Sequence, residues 1–236
     1  MTSHEGSALH VLSAGAAQGL VEALAPRFLA ETGVALRTTF DAVGAIREKL
    51  LVGDACDVLI STQAMVDGLS RSGHVAPAHA ALGHVRTGIA VRAGDALPDI
   101  SNRGALQRSL CAATEIFLPD PQRATAGIHF ARVIDLLEIR TDVAARLRPY
   151  PNGAASMRAL AQSESSTPIG CTQMSEIKYA KGVALAGALP CEFELATAYA
   201  LAISARAQQP ELARRFAQFI CGPEVRSVRG EAGFET

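Results

Sequence analysis

Leu195-Ala-Thr-Ala-Tyr-Ala-Leu-Ala-Ile-Ser204 is an almost wholly apolar run close to the end of the chain. It reads as a long buried strand. It follows a block of alternating strands and helices that is already complete, and it precedes two helical stretches, Pro210 to Ile220 and Pro223 to Arg229. Those closing helices have the amphipathic look of the opening segment. The economical layout is a discontinuous first lobe, residues 1–86 plus 195–236, with a contiguous second lobe, residues 87–194, inserted into it. In that layout two strands cross between the lobes, and the carboxyl ends of the two sheets face one another across a ligand cleft. The expected architecture is a two-lobed, hinged α/β clamp.

Outward from that strand, the first lobe repeats one unit: strand, small polar loop, helix N-terminus. Leu9 to Ser13 is a strand, Ala14-Gly-Ala-Ala17 a loop, and Leu20, Leu24 and Phe28 make one stripe of a helix that Gly33 ends. Val34 to Phe40 is the second strand, Asp41 to Gly44 a loop, and Ala45 to Val52 a helix; Asp57 to Ser61 is the third strand, with a helix from Gln63 to Ser70. The second lobe reads as strands at Val85–Arg92, Ile116–Leu118, Pro168–Thr172 and Val183–Leu185. Its helices begin near Ser101 or Asn102, at Ile128, after Asn152 and near Ser175. The alternation predicts largely parallel sheets.

Composition excludes several classes of function. The 236 residues carry 22 Lys+Arg against 23 Asp+Glu, a net charge of -1, with no basic cluster, no Trp and three Tyr. A nucleic-acid partner is not expected. Mean hydropathy is +0.19, yet no stretch reaches about 18 consecutive apolar residues, so no membrane insertion is expected. Met1 to His10 lacks a cationic segment followed by an apolar core, so no signal peptide is expected. As written the chain would be cytoplasmic, and periplasmic if a leader had preceded it. The five cysteines, at 56, 111, 171, 191 and 221, are too scattered for a zinc knuckle or disulfide framework. No metal and no cofactor are expected, and no GxSxG, HExxH, P-loop or GxGxxG motif is present.

The candidate binding residues lie where strands run into helices. Ser13, Ala14 and Gly15 end the first strand at a helix N-terminus, which favours anions. Thr62 and Gln63 occupy the same position after the third, where a plain cap is the competing reading. In the second lobe Thr125 can cap its helix and offer a hydroxyl, Arg123 can pair a carboxylate bidentately, and Ala126 and Gly127 let a ligand approach the backbone. His129 is read in the first turn of that helix, where the terminus would keep it neutral. Thr172, Gln173 and Ser175 can donate to carboxylate oxygens. Glu176 reads as a first-turn acid that stabilises its own helix.

Taken in order, Val11-Leu-Ser-Ala-Gly-Ala16, Asp57-Val-Leu-Ile-Ser61, Pro98-Asp-Ile-Ser101, Ala126-Gly-Ile-His-Phe-Ala131, Gly170-Cys-Thr-Gln-Met-Ser-Glu176, Phe216-Ala-Gln-Phe-Ile and Gly233-Phe234 give the chain a family likeness. It resembles the type II periplasmic-binding-protein superfamily, in its molybdate-binding-protein-like branch. The resemblance implies the two-lobed clamp, a small anionic ligand and, for an exported chain, an ABC-transporter permease as partner. It places ligand contacts near Ala16 and near Val43 or Gly44, and near Ala126, Ala155 and Gln173. Where molybdate binders have hydroxyls, Ala16 and Val43 or Gly44 have none, and Gln173 stands in place of a tyrosine. A carboxylate-bearing anion is therefore expected over molybdate, since each lost hydroxyl removes about 1–3 kcal/mol. The Gly170–Glu176 block is more similar to a branch that includes an isomerase of aconitate. That likeness implies an alternative, proton transfer within a tricarboxylate, with His129 and Glu176 as the proton carriers.

Overall fold

The computed structural model describes residues 8–235, so most of the Met1–His10 stretch read above lies outside the described residues. In chain order the elements are β1 (Leu9–Ala14), α1 (Gln18–Thr32), β2 (Leu36–Asp41), α2 (Val43–Val52), β3 (Val58–Thr62), α3 (Gln63–Arg71), β4 (Val75–Arg92), α4 (Arg103–Ala112) and β5 (Glu115–Pro119). They continue with α5 (Thr125–Leu136), α6 (Arg140–Val143), β6 (Leu147–Tyr150), α7 (Gly153–Ala161), β7 (Pro168–Gln173), α8 (Met174–Tyr179) and β8 (Val183–Ala188). β9 (Ala196–Ser204), α9 (Pro210–Cys221) and α10 (Arg226–Glu231) close the chain. Among the described residues no helix is long and apolar enough to cross a membrane.

Two compact units result: residues up to His84 together with those from Ala198 onward, and Val85–Thr197. In the first, β1 pairs in parallel with β2 and β3, while β9 runs antiparallel to β3. One face is sealed by Ile46 and Leu50 of α2 and Val66 and Leu69 of α3, packed on Leu12, Leu59, Ala200 and Ala202. On α1, Phe28 meets Phe216 of α9 edge to face, ring centroids 5.1 Å apart. Gly33 and Gly53 end α1 and α2 in the left-handed conformation (φ 73° and 94°) that a side chain resists. Buried Asp57 accepts hydrogen bonds from the backbone N–H of His10 at 2.9 Å, Gln208 at 2.7 Å and Gln209 at 3.0 Å. The carboxylate thus fastens β1 and the turn before α9 to the start of β3.

In the second unit β5 lies parallel to β6 and β7, and β4 is antiparallel to β7 and β8. Leu106, Leu110, Phe130, Val133 and Ile134 cover one face through α4 and α5. Met157, Leu160 and Ile177 bring α7 and α8 onto the other, against Ala90 and Phe117. The sheets are mixed where largely parallel ones were expected, with β9 and β4 as the antiparallel members. Two boundaries shift with consequences for the site. α2 begins at Val43, which moves Gly44 from a loop into the first turn. α5 begins at Thr125, three residues before the expected start at Ile128.

Candidate functional site

In the first unit the carboxyl edge of the sheet is built from β1, β3 and the starts of α1 and α2. Ser13 is buried, and its hydroxyl donates to the neighbouring carbonyl of Ala14 at 3.0 Å. Ala14 leads into a single 3-10 turn, Gly15–Ala17, without a side-chain cap. α2 likewise starts on Ala42 with no side-chain cap, so the amides around Val43 and Gly44 gain no side-chain acceptor there. Thr62 takes its bland role: its hydroxyl accepts from Met65 N–H at 3.3 Å and caps α3. Gln63 donates to Asp67. The residue missed from sequence is Ser61. It is fully buried near the end of β3, and its hydroxyl has no partner. Within the apolar run Val58-Leu-Ile-Ser61 it looked like part of a core strand.

The second unit corrects several expectations. Thr125 is the first residue of α5, not its cap; the cap position is Ala124, whose methyl group cannot accept a hydrogen bond. His129 therefore sits in the second turn, and the terminus argument for a neutral base falls away. Its Nε2 is 2.7 Å from the Phe193 carbonyl, so it donates there and ties α5 to the Cys191–Phe193 turn. Arg123 is exposed on a turn that Asp120 organises by accepting from the N–H groups of Gln122 and Arg123. Ala126 and Gly127 are buried, and a side chain at 127 would collide with the carbonyl oxygens of Pro119 and Asp120. Gly127 is thus small to seat α5 on the end of β5, not to admit a ligand. The Ala155 N–H is already used, donating to the Asn152 cap at 2.9 Å.

The junction of β7 and α8 holds the remaining polar groups. Thr172 is buried and donates to the Glu176 carboxyl instead of standing free for a ligand. Gln173 donates through Nε2 to Thr197 Oγ1 at 3.3 Å, while its Oε1 has no partner. Ser175 Oγ is also buried and unpartnered, as is Thr87 Oγ1 on β4, opposite Gln173 in the strand register. Glu176 lies in the first turn of α8, where the sequence places it. It is buried, and burial pushes its carboxyl up to about 7 against the lowering effect of the Thr172 hydroxyl and the Gln173 backbone. A buried polar atom left without a partner costs about 1–3 kcal/mol, so such atoms collected in one place mark a position built to be filled. Among the described residues no group of three or more His, Cys, Asp or Glu could hold a metal ion.

The family model for bacterial extracellular solute-binding proteins matches residues 9–235. The chain belongs to this family. An aconitate isomerase from Pseudomonas sp is 28% identical over 237 residues, covering 96% of this chain and 87% of that protein. The periplasmic molybdate-binding protein of Azotobacter vinelandii superposes with a TM-score of 0.82 at 19% identity, covering 97% of this chain and 99% of that one. A sulfate-binding protein from Mycobacterium tuberculosis H37Rv gives 0.76 at 18% identity, over 97% and 86% of the two chains. The periplasmic-binding-protein fold expected from the sequence is thereby established for this solute-binding chain.

Proposed function

We propose that this solute-binding protein takes a small, oxygen-rich anion bearing carboxylates. The observation that carries the reading is the set of buried hydroxyls without partners, Ser61 in the first unit and Thr87 and Ser175 in the second. Each offers an O–H donor toward the end of a strand or opposite one, where open α/β sheets take their ligands. The uncapped starts of the Gly15–Ala17 turn and of α2 add backbone N–H donors. Carboxylates are favoured over a tetrahedral metal oxyanion because Ala16, Val43 and Gly44 bring no hydroxyl to the first unit. Membership of a family described as extracellular supports the exported alternative, in which a transporter permease is the partner.

Calorimetric titration with molybdate, tungstate, sulfate and a panel of di- and tricarboxylates tests the reading. Saturable binding of a carboxylate is the expected result. Tight binding of molybdate alone overturns the preference.

A second reading is favoured by one residue and one relative. The relative is named for aconitate isomerisation, and Glu176 titrates near neutrality, where a group that takes and returns a proton works best. In such a reaction one proton leaves an allylic carbon, the double bond shifts, and one proton is returned at the other end, with no change of oxidation state. Incubation with cis- or trans-aconitate in deuterated water decides it. Interconversion with deuterium at the allylic carbon establishes the isomerase; binding without conversion leaves a receptor.

A further inference from the structure

The Glu176 carboxyl is enclosed by β7, α7, β8 and its own helix. β7 supplies the Thr172 hydroxyl and a backbone hydrogen bond from Gln173. α7 supplies Gly153, whose α-carbon lies directly against the carboxyl; its one charged side chain, Arg158, is exposed. β8 carries no ionisable group, and Lys178 and Tyr179 on α8 itself are exposed. Among the described residues the carboxyl is thus buried with no cation among the groups that pack against it. Ser175 Oγ, its near neighbour in the chain, is buried and unpartnered and can donate to an anion.

We propose that Glu176 takes up a proton when an anion binds at the β7–α8 junction, with Thr172 and Gly153 as its positioning residues. The inference rests on the anion-binding reading above. A buried carboxylate with no counter-charge is the form that an incoming anion penalises further, because like charges at close range raise a carboxyl's pKa. The proton moves from buffer to a Glu176 carboxyl oxygen, so the bound anion faces a neutral acid. With the free carboxyl titrating at about 7, uptake is about half a proton at pH 7, approaches one near pH 8 and vanishes near pH 5.

The test is calorimetric titration of trans-aconitate, a tricarboxylate, in buffers of differing ionisation enthalpy at pH 6, 7 and 8, with the wild type and Glu176→Gln. The Gln variant carries whatever protonation belongs to the ligand itself. The wild type should exceed it by about half a proton at pH 7, and its affinity should fall by up to about fivefold more between pH 7 and 8. Equal uptake by the two proteins overturns the inference while leaving anion binding intact. If neither trans-aconitate nor any other carboxylate binds the wild type, the anion-binding reading itself fails. Should Glu176→Gln not fold, Thr172→Val removes the hydroxyl that favours the carboxylate. It should move the midpoint of uptake to higher pH, and an unmoved midpoint overturns the inference.

Discussion

The carboxyl of Glu176 rests so closely on the α-carbon of Gly153 that no side chain fits at position 153. Gly153 is the first residue of α7, and Glu176 lies on the short helix beside it. Gly153→Ala is therefore expected to destabilise the protein by about 1–3 kcal/mol through overpacking, despite the better helix propensity of alanine. Urea unfolding measures it. A neutral or stabilising effect would show that the carboxyl moves aside at no cost.

Glu176 also gives stability a pH dependence of unusual sign for an acid. Its folded-state pKa is raised, from 4.5 to about 7, so the folded protein binds the proton more tightly than the unfolded chain does. This contribution is greatest below about pH 4.5, is lost as pH rises to about 7, and is flat above that. The loss is on the order of 3 kcal/mol. Glu176→Gln should abolish this slope, read as the difference in urea midpoint between pH 5 and pH 8. A wild type equally stable at both, relative to the variant, would contradict a buried uncompensated carboxyl.

Ser61 should show stability and affinity moving in opposite directions. Its hydroxyl has no partner in the folded chain, so Ser61→Ala is expected to be neutral or stabilising by up to about 1 kcal/mol. The same change should weaken carboxylate binding by about 5–100-fold if the hydroxyl serves the ligand. Thermal unfolding and titration of one preparation read both effects. Unchanged affinity would remove Ser61 from the site.

Thiol reactivity is expected to follow burial. Cys111 and Cys191 are exposed, whereas Cys56 and Cys171 are buried, and burial pushes the Cys56 thiol up to about 12. Brief alkylation with iodoacetamide at pH 8, followed by mass spectrometry, should label Cys111 and Cys191 first. Early labelling of Cys56 would indicate local opening at the start of β3.

Much of the fold was legible because its central strands are apolar runs: β1, β3, β7 and β9 each stand out from their flanks. The edge strand β6 did not. Leu147-Arg-Pro-Tyr150 combines a charge with a proline, which an edge position tolerates and a central one does not. The first half of β4, Val75 to His84, is broken by alanines, two histidines and a proline, and resembles a loop. The early start of α5 was hidden because Ala124 is no capping residue. At the junction of β7 into α8 the sequence marked the polar residues, but not how they engage one another. Thr172 and Glu176 are engaged with each other, and only the distant glycine at 153 reveals that the acid is buried. Ser61 carried no signal, because a serine closing an apolar strand looks the same whether its hydroxyl is satisfied or not.

The assembly of the first unit from both ends of the chain sets an order of events during synthesis. β3 leaves the ribosome with one edge unpaired, and the strand that covers that edge, β9, is made only after the whole second unit. At typical elongation rates of about 5–20 residues per second the wait is on the order of ten seconds. The second unit, contiguous in sequence, can complete its own core in that interval. The nascent chain therefore passes through a stage in which a finished half is tethered to an unfinished one with an adhesive strand edge. A chaperone or a crowded polysome would act on that stage, and not on the native protein.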